Sequence, residues 1–147
     1  MANRCLGLSL LWLITLSTML FAVVPAPNND SWAEIGYATA RMSENSLMIY
    51  PKDDIAYSKL RFQIEHGKVI LNQARVYLVD GSVFRLNLQK TLKGDTDDKT
   101  GYEYSQVLPL VNAQQKPIKK VEVAYKFKMQ KDAFSSVVLQ LQGIPVK

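Results

Sequence analysis

With 147 residues, 48% hydrophobic and 21% charged side chains and a net charge of +5, the chain has the make-up of one ordinary globular domain. One cysteine, Cys5, excludes a disulfide framework, and one histidine, His66, excludes a zinc site that needs a second imidazole. The modest basicity argues for solubility and steering, and no nucleic-acid recognition motif accompanies it.

Residues 1–33 read as an address. Arg4 gives a positive start, Leu6 to Val24 is an uncharged apolar run, and Pro25 and Pro27 break it. Ser31-Trp32-Ala33 places small residues at the two positions a signal peptidase reads, which predicts cleavage after Ala33. The alternative is a retained anchor, because the run approaches the length that crosses a bilayer; Ser9, Thr15, Ser17 and Thr18 dilute it and favour removal. Only an uncleaved segment would bring the chain to a membrane. Cys5 leaves with the leader, so the mature chain, 34–147, holds no thiol. Export without disulfides points to the bacterial periplasm or to secretion.

The mature part reads as short alternating strands. Glu34 to Ala40 is a first strand, with Ile35 and Tyr37 expected on one face, and Ser46 to Tyr50 is a second, ended by Pro51. Leu60 to Leu88 predicts three consecutive antiparallel strands. A two-residue turn at His66-Gly67 pairs Ile64 with Val69 and Phe62 with Leu71, keeping their apolar side chains together. At Asp80-Gly81 a two-residue loop would scramble the faces. The three-residue loop Val79-Asp80-Gly81, with Gly81 left-handed, pairs Val76 with Phe84 and Ala74 with Leu86. Inside the middle strand the apolar parity slips from odd (Val69, Leu71) to even (Ala74, Val76, Leu78), which predicts a bulge near Asn72-Gln73.

Lys90 to Gly101 is a polar, turn-rich loop, and Tyr102 to Leu110 holds another short strand. Ile118 to Met129 alternates cleanly, with Val121, Val123, Tyr125, Phe127 and Met129 one way and Lys120, Glu122, Ala124, Lys126 and Lys128 the other. After a turn at Lys131-Asp132-Ala133, Ser135 to Gln142 turns Val137, Leu139 and Leu141 inward and Gln140 and Gln142 outward. Strands spaced by turns, with no helical period after residue 33, predict one all-β domain: an antiparallel β-sandwich, with an open β-barrel as the alternative. Phe62, Ile64, Val76, Phe84, Leu86, Val123, Phe127 and Leu139 are its expected core.

Leu60-Arg61-Phe62 to Val69, the strand and turn Ala74 to Gly81, Ile118-Lys119-Lys120-Val121 with Tyr125, and a closing strand ending at Gly143 form a spaced series. Over about residues 46–143 it resembles small exported bacterial proteins classed only as a domain of unknown function. The resemblance implies a periplasmic β-sandwich and transfers no catalytic residue.

Candidate chemistry is sparse. His66 sits in a tight turn without a base or nucleophile elbow, so no catalytic role is assigned to it. Asp95, Asp97 and Asp98 are the metal candidates, because calcium prefers clustered carboxylates on a loop. Asp95 and Asp97 fit the first and third positions of a calcium loop, but Thr100 replaces the required glycine and Gln106 the bidentate glutamate. Lys120, Lys126 and Lys128 form a basic stripe that suits guarding a sheet edge first, and an anionic polymer or headgroups second. Tyr37, Tyr50, Tyr57, Tyr77, Tyr102, Tyr104 and Tyr125 supply core packing, or a platform for sugars where exposed. The sequence thus predicts a non-catalytic exported binding or structural module, without a cofactor, whose partner is an envelope protein or anionic polymer. The alternatives are a carbohydrate-binding module, and an enzyme with a carboxylate or metal site in the 94–101 loop.

Overall fold

The computed structural model describes residues 31–94, 103–110, 116–127 and 135–146. The strands are β1 (Ala33–Arg41), β2 (Ser46–Ile49), β3 (Tyr57–Ile64), β4 (Gly67–Leu78), β5 (Val83–Gly94), β6 (Glu103–Tyr104), β7 (Leu108–Pro109), β8 (Ile118–Phe127) and β9 (Ser136–Pro145). They form two antiparallel sheets. Sheet A has the order β1-β9-β3-β6, with β7 also paired to β3, and sheet B the order β2-β8-β4-β5. The domain is therefore a β-sandwich, and the open-barrel alternative falls.

Each sheet turns one alternating face inward. Ile35, Leu60, Phe62, Ile64, Leu139 and Leu141 of sheet A meet Val69, Leu71, Ala74, Val76, Val121, Val123 and Tyr125 of sheet B in one buried core. Phe84, Leu86 and Phe127 pack against this core only half-buried, so the expected core is right in its face and too generous in its depth. The N- and C-terminal strands lie side by side, which ties the domain's two ends into one sheet.

The loop Val79-Asp80-Gly81 forms as predicted. The Leu78 N–H donates to the Ser82 carbonyl at 2.9 Å, Gly81 has φ +88°, and Val76 faces Phe84. Asp80 braces the turn, accepting from the Ser82 N–H at 3.1 Å and from the Lys116 ammonium at 2.5 Å. Those contacts, Lys116 first, hold its carboxyl far below the usual range. The bulge between Leu71 and Gln73 is also present, in the pairing with β8 as well as β5. Opposite it, Gln89 takes a positive φ of 41° as β5 accommodates the bend.

The turn at His66-Gly67 is not a hairpin. β3 lies in sheet A and β4 in sheet B, so Glu65-His66 is a corner at which the chain changes sheets. Only Gly67 has positive φ there (79°), whereas the predicted turn needs two such residues. Facing strands of a sandwich both turn their apolar sides inward, so their alternation matches that of hydrogen-bonded neighbours. Ile35 and Tyr37 also part company. A register shift between Glu34 and Gly36 sends Ile35 into the core and leaves Tyr37 61% exposed. The expected strand at 102–110 is two short ones, β6 and β7, on the same edge of β3. Ser105 stitches this edge: its N–H donates to the Phe62 carbonyl at 2.7 Å and its hydroxyl accepts from the Phe62 N–H at 2.8 Å. Met129 and the turn at 131–133 lie outside the described residues.

Candidate functional site

The outer face of sheet A is built from residues that alternate away from the core. Register sets Tyr37 of β1 opposite Gln140 of β9, Gln140 opposite Gln63 of β3, and Gln63 opposite Tyr104 of β6. One cross-strand row thus reads Tyr-Gln-Gln-Tyr. Its ends are about 14 Å apart, from three strand spacings of roughly 4.8 Å. A shallow depression of about 230 Å³ opens on this row, lined by Tyr37, Gln63, Glu65, Val138 and Gln140.

Its polar groups are held in place. The Gln142 amide donates to Gln63 Oε1 at 2.6 Å, and Gln142 Oε1 accepts from Arg61 Nε at 2.8 Å. The Gln140 amide donates to Glu34, which also pairs with Lys52. Lys52 acts most strongly in lowering the Glu34 carboxyl from its ordinary value. Gln63 is only 6% exposed, so the floor of the depression is a covered amide already engaged by the protein. Such a surface loses little freedom when a ligand arrives.

Two cations, Lys52 and Arg61, flank the row through aromatic contacts. Lys52 Nζ lies 5.2 Å from the Tyr37 ring centroid. Arg61 Cζ lies 3.9 Å from that of Tyr104 and 4.2 Å from that of Trp32. Burial is the main influence lowering the Arg61 pKa, and Tyr104 opposes it. Cleavage after Ala33 would remove Trp32 from this stack and leave Tyr104 as its ring.

The lysine stripe falls on the opposite surface, the outer face of sheet B. β8 runs between β2 and β4, but β2 pairs with it only over 121–124, so Lys120 and Lys126 flank the covered stretch. Lys120 Nζ rests 4.7 Å from the Tyr77 ring centroid, and Lys126 is exposed. Between them Glu122 accepts from the Tyr77 hydroxyl at 3.0 Å and pairs with Arg75 at 3.5 Å. Lys128 lies outside the described residues, as do Asp95, Asp97 and Asp98. Asp53 accepts from the Tyr57 hydroxyl at 3.0 Å, an arrangement that ties a connector to the core. Among the described residues no three His, Cys, Asp or Glu side chains gather as a metal site.

Sequence reading turned Gln140 and Gln142 outward correctly but did not join them to Gln63. Their one local signal is glutamine at alternate positions on two strands.

A two-sheet β-sandwich with an ordered polar and aromatic outer face is the class these features define. Residues 10–139 match the family model described as a domain of unknown function, DUF2541, and the chain belongs to that family. The resemblance read over residues 46–143 is thereby confirmed as far as residue 139 and extended toward the N-terminus. No curated protein matches the sequence. Among solved structures, the chain is similar to AlgX of Pseudomonas aeruginosa at a TM-score of 0.45 and 8% identity, over 78% of this chain and 27% of that one. It is also similar to a variant of a family 29 carbohydrate-binding module, studied for ligand recognition, at a TM-score of 0.36 and 11% identity, over 77% of this chain and 91% of that one.

Proposed function

We propose that this domain is a non-catalytic, exported binding module, periplasmic or secreted, and that the outer face of sheet A takes a carbohydrate. The Tyr37–Gln140–Gln63–Tyr104 row carries the reading. Sugars present apolar C–H faces and hydroxyl edges, which an exposed aromatic ring and a fixed amide match in turn. Export rests on the apolar run at 6–24, whose removal would free the domain from a membrane. Retention of the purified domain on linear glycans tests the proposal. Tyr37→Ala and Gln140→Ala should each weaken retention about tenfold, the loss of roughly one stacking or hydrogen-bond contact. Retention unchanged in both variants would overturn it.

A second reading uses sheet B. Lys120 and Lys126 share that face with Arg75 and Arg85, which stand directly opposite each other in the ladder. Glu122 offsets part of this positive charge through Arg75, and an anionic envelope polymer would offset the rest. Changing Lys120 and Lys126 together to Gln should abolish salt-sensitive retention on anionic envelope material. Parental retention at low and moderate salt would leave the lysines as a solvated face.

A further inference from the structure

We infer that the sheet A platform selects acidic glycans, with Arg61 receiving a uronate carboxylate; this rests on the carbohydrate reading above. Arg61 is a half-buried cation whose Cζ lies 3.9 Å from the Tyr104 ring centroid, the stacking contact that remains in a chain cleaved after Ala33. A guanidinium stacked on a ring keeps its edge for hydrogen bonding, where a planar carboxylate can meet two parallel N–H groups.

That edge is open. The Nε–H is used by Gln142 Oε1 at 2.8 Å, and none of the other four N–H donors has a hydrogen-bond partner among the described residues. Glu34, the carboxylate across Gln142 from Arg61, is engaged by Lys52 and Gln140. A partly desolvated cation without a counterion is costly unless something supplies the charge. Arg61 is also coupled to the row. Gln142 joins it to Gln63, and Arg61 and Gln63 are two residues apart on β3, about 6.6–6.8 Å along the strand. One chain crossing the row could therefore touch the amide floor and the guanidinium together.

The rival account makes Arg61 a spacer that holds Tyr104 upright. Selectivity separates the two. The domain would be tested against neutral gluco-, xylo- and manno-oligosaccharides and against oligoglucuronate, oligogalacturonate and oligomannuronate of matched length. The expected result is at least tenfold tighter binding to one or more of the acidic set, fading with salt. Arg61→Gln should erase that preference, bringing acidic glycans down to the level of the neutral set. Arg61→Lys, which keeps the charge and the methylene stem if the first variant fails to fold, should lose most of it because a point charge lacks the fork. Equal binding to neutral and acidic glycans, or a preference that survives Arg61→Gln, would overturn the Arg61 assignment and leave the platform standing. Binding to neither set would overturn the carbohydrate reading itself.

Discussion

Removing one oxygen atom at Tyr125 should unlatch the two sheets. Its ring is 1% exposed in the core beneath β8, and its hydroxyl reaches across to the end of β1. There it donates to the Arg41 carbonyl at 3.0 Å and accepts from the Arg41 N–H at 2.9 Å, so one hydroxyl closes two hydrogen bonds between sheet B and sheet A. Tyr125→Phe keeps the ring, including its edge-to-face contact with Phe127 at 5.9 Å, and deletes only those bonds. At about 0.5–1.5 kcal/mol for each net hydrogen bond, the loss should be about 1–3 kcal/mol. That is a large share of the roughly 5–15 kcal/mol that holds a small domain together. Both partner atoms belong to the Arg41 backbone, so Arg41→Ala is the control. It removes only a surface pair with Glu44 at 3.7 Å and should cost less than about 0.5 kcal/mol. Urea unfolding, with an unchanged dependence on denaturant, gives both numbers. Equal costs for the two variants would refute the latch.

Three further outcomes follow from local geometry. Gly81→Val should cost about 1–3 kcal/mol and Ser82→Val far less; nothing lies within 4 Å of a Gly81 Cβ, so the cost is backbone strain at φ +88°, and equal tolerance in thermal melts would count against the bulged turn. Gly143→Ala should destabilise by about 1–3 kcal/mol, because its Cβ would sit 2.6 Å from the Tyr57 ring and 2.7 Å from Ile35 Cδ1, and an unchanged melt would mean that these side chains yield freely. Alkali should weaken the fold through Tyr57, whose hydroxyl is pushed up to about 12 by burial first and by Asp53 second. A raised folded value contributes stability that is complete below the ordinary tyrosine value near 10 and is lost as pH rises through about 12. Tyr57→Phe should flatten that loss in unfolding measured from pH 9 to 12, and an unaltered profile would refute the assignment.

Much of the fold was legible because it is written in period two. The loop at Val79-Asp80-Gly81 and the bulge at Asn72-Gln73 each follow from requiring one apolar face along a strand, a local constraint that tertiary structure then kept. The corner at Glu65-His66 was not legible. Phe62 and Ile64 face Val69 and Leu71 across the core with the same alternation that a hairpin would give them. What separates the two outcomes is distant: β9 takes the place beside β3, and the end of β5 packs so closely on the corner that a Gly94 Cβ would lie 2.5 Å from the Glu65 carbonyl. Ile35 and Tyr37 were expected on one face because a bulge within Glu34–Gly36 leaves no pattern in so short a strand. The platform is hidden for the same reason. Its row takes residues 37, 140, 63 and 104 from four strands, and only the sheet order β1-β9-β3-β6 makes them neighbours.

The central claim is that this row is a binding surface, and a double variant measures it most directly. Tyr37→Ala with Tyr104→Ala removes both aromatic ends while leaving the buried core residues untouched, since the two rings are 61% and 39% exposed. Calorimetric titration with the tightest glycan from the neutral and acidic sets should show affinity falling about a hundredfold, two contacts of about tenfold each, with the melting temperature little changed. Parental affinity in a stably folded double variant would contradict the account.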